Sequence, residues 1–203
     1  GLKSSSALSC AAFRALNSCA WTGLSNSEIA DLSAKSQLMS NCAITGSMDD
    51  NWASLEPGWK LVDPSLGASD SIIIQGEMDD RLSVLVCLRG KRSREISLTR
   101  FSEQSQIFER SLASIMSGSA LDSLSSNGMA VSAATGDHEA LRISNLCIAS
   151  GAIASGISGS GPAIAVVCFE DDTESISEII DEMGYSSIQT RFVSNASPVE
   201  EAS

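Results

Sequence analysis

An α+β fold in two parts is predicted by three observations: a small-residue turn that opens straight into a helix, a change to β-rich texture near residue 70, and a closing run that mixes helices with strands. Residues 4–22, SSSALSCAAFRALNSCAWT, carry small and apolar side chains at helical spacing, with Gly23 placed for a left-handed C-cap. Ser25 and Asn26 can cap a second helix over 28–40, whose apolar face is expected to be Ile29, Leu32, Leu38 and Met39. Residues 42–45 are a strand candidate, followed by Gly46 and the pair Asp49-Asp50. A loop at 67–70 sets the expected boundary between a first part, 1–69, and a second, 70–203. In the second part, 72–75 and 82–88 read as strands around the turn EMDD. Helices are expected at 102–117, 119–134 and 138–149, the first ended by Gly118. The Gly/Ser-rich turn SGISGSG then leads into the strand PAIAVVCF, an amphipathic helix at 173–183 and a last strand at 187–193, giving ββαααβαβ. The tail SPVEEAS reads as frayed.

With 203 residues and 43% hydrophobic side chains, the chain can bury a substantial core. A net charge of -12 argues against a nucleic-acid or anionic-membrane partner, since phosphate surfaces attract clustered Lys and Arg. The single basic cluster, Lys91, Arg92 and Arg94, is too short to reverse that and reads as a solvated loop. No apolar run has transmembrane length, and there is no signal-peptide pattern at the start. The six cysteines form no CxxC pair, and most sit in apolar stretches such as LSVLVCL and AIAVVCF. They are expected to be reduced thiols packed as small hydrophobes, which fits a cytoplasmic protein.

Gly1-Leu2-Lys3-Ser4-Ser5-Ser6-Ala7 runs directly into the first helix. Small residues let backbone close around an anion, and the unpaired N–H groups of a helix start point at it with a favourable dipole. Lys3 adds a positive charge, and the hydroxyls of Ser4, Ser5 or Ser6 can ligate Mg²⁺ or bond a phosphate oxygen. A serine-rich N-cap with no ligand has the same local pattern. Further on, Asp49 and Asp50 offer adjacent carboxylates, one of which can take the proton of an attacking hydroxyl; an exposed helix start reads the same way. Gly156, Gly159 and Gly161 allow positive φ or close backbone approach, and Pro162 fixes the chain as it enters the next strand. The lone histidine, His138, reads as a capping or surface residue at a helix start, so no Ser/His/Asp triad is available.

Taken together and in this order, these segments resemble the GHMP kinases. GLKSSSA resembles their GLGSSA loop, with Lys at the third position as in the archaeal-type shikimate kinases. ITGSMDDNWAS is similar to TGAFDDASAS, and GAIASGISGSGPAIAVVC to GALAAGLSGTGPAIAAVC. Asn127-Gly128 resembles the NG that opens a helix of that family. The departures are Asn51 in place of Ala after the acidic pair and LEPG in place of an aromatic-Gly-Gly run.

The resemblance implies residues 1–69 as the remainder of an N-terminal GHMP domain and 70–203 as a ferredoxin-like C-terminal domain. An upstream segment is then expected to be missing, and these residues alone are expected to have little kinase activity. It further implies ATP held by Gly1 to Ala7 and by Gly159, Ser160 and Gly161, with Mg²⁺ on the side of Ser5 and Ser4. The DNxxS arrangement of mevalonate kinase-like members favours Asp50 as the base and Asp49 as its orienting partner. Glu28 and Asp31 are candidates by position alone for an acidic Mg²⁺ ligand. The implied acceptor is the 3-hydroxyl of shikimate. Alternatives are homoserine, a mevalonate-like alcohol, or a non-catalytic nucleotide-binding module of the same fold.

Overall fold

In the computed structural model, which describes residues 4–43, 46, 48–91 and 96–194, the opening helix α1 spans Ser4–Ala20. It stops earlier than Gly23 suggests because Trp21 already takes a left-handed conformation, φ 51°, before Gly23 does so at 70°. Helix α2, Asn26–Met39, begins at a capping box: Ser25 accepts from the Glu28 amide while the Glu28 carboxylate accepts from the Ser25 amide. Helix α3, Asp49–Leu55, carries both acidic residues in its first turn. Strands β1, Trp59–Val62, and β2, Ile72–Gly76, pair antiparallel on either side of the one-turn helix α4, Ala68–Ser71.

The buried face of α2 differs from the expected one. Leu32, Leu38 and Met39 are 38%, 47% and 79% exposed, and the stripe that packs inward is Ile29, Ala30, Ser33, Ala34 and Gln37. The face is set by what meets it: α1 and α3 bring small and polar groups against α2, so small and polar side chains turn in. The apolar part of this interior is Cys10, Ile29, Ala30, Trp52, Leu55 and Ala68. Of the expected strand at 42–45, Cys42 and Ala43 are not in strand conformation and the remainder lies outside the described residues.

One compact unit runs to Met78; the other extends from Asp79 to Phe192. Strand β2 therefore belongs with β1 in the first unit and does not join the later sheet. That later sheet has β3, Leu82–Leu88, and β5, Ile164–Phe169, at its centre, with β4, Ala154–Ile157, beside β5 and β6, Ser186–Arg191, beside β3. All its pairs are antiparallel. The four helices α5 (Leu98–Ser102), α6 (Ser105–Met116), α7 (Ala120–Thr135) and α8 (His138–Ala149) come between β3 and β4. Helix α9, Thr173–Glu182, comes between β5 and β6. The core between sheet and helices holds Leu85, Cys87, Ile143, Cys147, Ile164, Val166, Cys168, Ile176 and Ile180. The α+β class is as predicted.

Strand β4 corrects the expectation of a turn throughout SGISGSG: Gly156 and Ile157 are already paired with Ala165 and Ile164. Asn127-Gly128 is corrected as well, since it lies inside α7 and opens no helix. Gly128 is there because α7 presses onto β4. A Cβ at Gly128 would lie 2.4 Å from the Cα of Gly156, so neither position has room for a side chain.

Candidate active site

The start of α1 exposes Ser4 and Ala7, half-buries Ser5 and buries Ser6 at 1% exposure. Its first amides have no intrahelical partner, and no acidic side chain occupies the first turn to compete for them. Gly1, Leu2 and Lys3 lie outside the described residues.

Behind the serines lies a connected polar interior. The hydroxyls of Ser6 and Ser5 donate to Gln37 Oε1 at 3.0 and 3.3 Å. Gln37 Nε2 donates to Asn51 Oδ1 at 2.8 Å and to Ser33 Oγ at 3.1 Å, and Ser33 Oγ donates to Asn51 Oδ1 at 2.7 Å. Ser9 closes the group by bonding Ser33. Gln37 is 6% exposed and Asn51 1%, so one another, the serines and the Cys10 thiol supply these amides with partners that water would otherwise provide. Cys10 borders the cluster, and its burial pushes the thiol pKa up against the smaller opposing effects of the Ser33 bond and the Arg14 charge.

This interior joins the helix start to the acidic pair. Asn51 is the residue after Asp50, and on α3 it turns inward while Asp49 is exposed and Asp50 half-buried. The Ser54 hydroxyl donates to the Asp50 carbonyl at 2.8 Å, holding the turn that carries Asp50. Trp52 anchors the same helix through its buried ring and an Nε1–H bond to Ser71 at 3.2 Å. Neither Gln37 nor Ser33 stands out in the sequence. The signal available was their four-residue spacing in register with Ile29, which puts all three on one helix face.

Both acidic candidates on α2 are engaged elsewhere. Glu28 closes the capping box, whose backbone bond from Ser25 holds its carboxyl below the usual range. Asp31 Oδ1 accepts from the Ala68 amide at 2.8 Å, fastening the start of α4.

In the second unit, residues 158–163 form the β4–β5 hairpin loop, closed by Ser158 N–H to Ala163 O at 2.8 Å and Gly161 N–H to Ser158 O at 2.9 Å. Gly159 and Gly161 have φ of 55° and 80°, as the loop requires, and Gly159 is exposed, Ser160 half-buried and Gly161 buried. Arg89 supports the loop base: it is 10% exposed, donates to both Asp137 oxygens at 2.8 Å and reaches Pro162 O at 3.2 Å. Asp137 also caps α8 by accepting from the Ala140 amide, while His138 is exposed beside it. Arg89 is another residue that the sequence alone does not single out.

The donor set decides whether Mg²⁺ fits. Among the described residues no group of three His, Cys, Asp or Glu could cage a metal. Mg²⁺ does not need one, because it keeps several waters and usually takes one or two protein ligands together with substrate phosphates. Half-buried Ser5 at an open helix start fits that pattern, and exposed Ser4 is next to it.

The serine-bearing start of α1 is joined through Gln37 and Asn51 to the helix that carries Asp49 and Asp50, within an α+β fold. Residues 1–58 match the family described as GHMP kinases N terminal domain. Residues 1–58 are thus similar to that family, and the fold of the chain is like that of solved homoserine and mevalonate kinases. The chain is 29% identical over 157 residues to a shikimate kinase of Methanobrevibacter smithii, an alignment covering 76% of this chain and 52% of that protein. The chain thus spans about half the length of the curated relative it matches. Among solved structures, a mevalonate kinase aligns with TM-score 0.67 at 13% identity over 95% of this chain and 65% of its own. A homoserine kinase from Cytophaga hutchinsonii aligns with TM-score 0.58 at 13% identity, over 88% of this chain and 61% of its own. At such identities the likeness is one of fold. No helix among the described residues is long and apolar enough to cross a membrane.

Proposed function

We propose that the protein is an ATP-dependent small-molecule kinase that phosphorylates the 3-hydroxyl of shikimate. The observation that carries this reading is the shared framework of residues 4–78: the serine-lined start of α1 and the α3 turn bearing Asp49 and Asp50 are joined through Gln37 and Asn51. Phosphate-binding and proton-accepting groups are thereby held by one polar interior. Lys3 and the TGSMDD segment favour shikimate as acceptor, in keeping with the shikimate kinase relative.

In this mechanism the first amides of α1, with Lys3, hold the phosphates. The family resemblance, by itself, also assigns Gly159, Ser160 and Gly161 to nucleotide binding. Asp50 takes the proton of the acceptor hydroxyl as that oxygen bonds to the γ-phosphorus and the bond to the β-phosphate oxygen breaks, releasing ADP. Asp49 orients Asp50. Mg²⁺, when bound beside Ser5 and Ser4, supplies neutralisation of charge on the phosphate oxygens.

ADP release by the full-length gene product should be measured with shikimate, homoserine and mevalonate. Turnover with shikimate is expected; turnover with another acceptor alone reassigns the substrate. ATP binding without turnover on any of them would favour a non-catalytic binding module. Asp50→Asn should lower kcat by about 10²–10⁴-fold while ATP affinity is kept. A loss of that size at Asp49→Asn, with Asp50→Asn near wild type, would reverse the two roles.

A further inference from the structure

The amide of Gln37 has its two ends in different company. Its oxygen faces only hydroxyl donors, Ser6 at 3.0 Å and Ser5 at 3.3 Å. Its nitrogen faces oxygens: Asn51 Oδ1 at 2.8 Å, Ser33 Oγ at 3.1 Å and the Ser33 carbonyl at 3.3 Å. Turning the amide over would set Oε1 against the Ser33 carbonyl, a backbone acceptor with no proton to give, and with Nε2 on that side Asn51 meets it with its oxygen. Ser33 helps fix Asn51 in turn by donating to the same Oδ1 at 2.7 Å. The interior therefore has one polarity, running from Asn51 through Gln37 to the serines.

That polarity determines what the serine hydroxyls can offer. A hydroxyl has one proton and two lone pairs. With its proton committed inward to Gln37 Oε1, a serine presents only acceptor lone pairs to anything bound at the helix start. Ser6 is buried, so its lone pairs face protein. Ser5 is half-buried and is the hydroxyl that reaches both the amide and the outside. An oxygen that presents lone pairs suits a hard cation and is the wrong sign for donating to a phosphate oxygen.

We infer that Gln37, locked in orientation by Asn51, is a positioning residue that turns the Ser5 hydroxyl into a cation ligand. This role rests on the kinase reading and deepens it. It assigns Ser5 to the metal and leaves anion binding to the backbone amides of α1. It also gives a use to Asn51, the departure from Ala after the acidic pair, because its oxygen holds the Gln37 nitrogen.

The test is binding of Mn²⁺ with ADP to the full-length gene product, followed by electron paramagnetic resonance, with thermal unfolding run in parallel to confirm folding. Gln37→Met, which removes the acceptor at nearly the same volume, should weaken Mn²⁺ in the ADP complex about five- to tenfold. Gln37→Asn, which draws the amide back by one methylene, should act in the same direction and decides the matter if Gln37→Met does not fold. In turnover, Gln37→Asn should raise the Mg²⁺ concentration for half-maximal rate while leaving the KM for the phosphate acceptor unchanged, a split that a general loss of stability would not give. Folded Gln37→Met and Gln37→Asn proteins that bind Mn²⁺ as wild type does, while Ser5→Ala weakens it, would overturn the positioning role and leave the kinase reading standing. A wild-type protein that binds no Mn²⁺ with ADP at all would sink the kinase reading, and this role with it.

Discussion

The interiors of the two compact units are built on different chemistry. Between Asp79 and Phe192 the core is a continuous apolar cluster, with Ile143, Ile164, Ile176 and Ile180 all at 0% exposure. Its buried hydroxyls bond locally, as Ser111 does to Ser123, or lack a partner, as at Ser83 and Ser155. In the first unit, Ser6, Ser33, Gln37 and Asn51 form a connected group lying against Cys10. Apolar burial is non-directional and stabilises in proportion to area, whereas a satisfied polar network fixes orientation and contributes less net stability. The difference places a non-directional apolar core in one unit and an orientation-fixing polar group in the other, where it bonds the serines of α1 and the first turn of α3.

The largest effect on this contrast should come from the apolar side. Ile180→Ala removes a fully buried side chain from the sheet–helix core and should destabilise that unit by about 2–5 kcal/mol in urea unfolding. A loss below about 1 kcal/mol would mean the core there is loosely packed. Asn51→Leu, close to isosteric, strands Gln37 Nε2 and Ser33 Oγ without their shared acceptor and should cost about 1–3 kcal/mol, with a larger proportional effect on cation binding than on stability. A neutral or stabilising outcome would show that the network can be replaced by apolar packing.

Residue for residue, the smallest effect is expected from pH. Burial pushes the Cys87 and Cys147 thiols up to about 11, so the native state keeps protons that the unfolded chain releases above about pH 8.5. Stability contributed by these groups is intact below that value and declines as pH rises toward 11, by about 1–2 kcal/mol per thiol at pH 10. Urea unfolding at about pH 8 and about pH 10 should be compared for wild type and for Cys87→Ala with Cys147→Ala, and the variant should have the flatter alkaline slope. Identical slopes would show that the thiols contribute nothing to the pH dependence.

Much of the fold was legible because local rules decided it. Ser25 and Asn26 announced the start of α2, Gly118 the end of α6, and β-rich apolar runs the strands β3 and β5. Other features were hidden because their cause lies far along the chain. Gly128 reads as a helix-opening signal until α7 is laid against β4, where Gly156 leaves no space for a Cβ. The inward face of α2 reads as Leu32, Leu38 and Met39 until α1 and α3 supply polar neighbours. Arg89 goes unmarked in the sequence because its partner Asp137, which takes both ends of its guanidinium, is 48 residues away.

By itself the sequence determined which segments are candidates for phosphate chemistry: a serine-rich helix start, an acidic pair and a glycine hairpin loop, because each is a short segment whose residue types suggest its use. Only the tertiary structure decided how the first two are held. The bonds from Ser5 and Ser6 to Gln37 span 32 and 31 residues, and that from Gln37 to Asn51 spans 14. No local pattern encodes such pairings; they arise when three helices pack and each buried amide must find a partner of opposite sign.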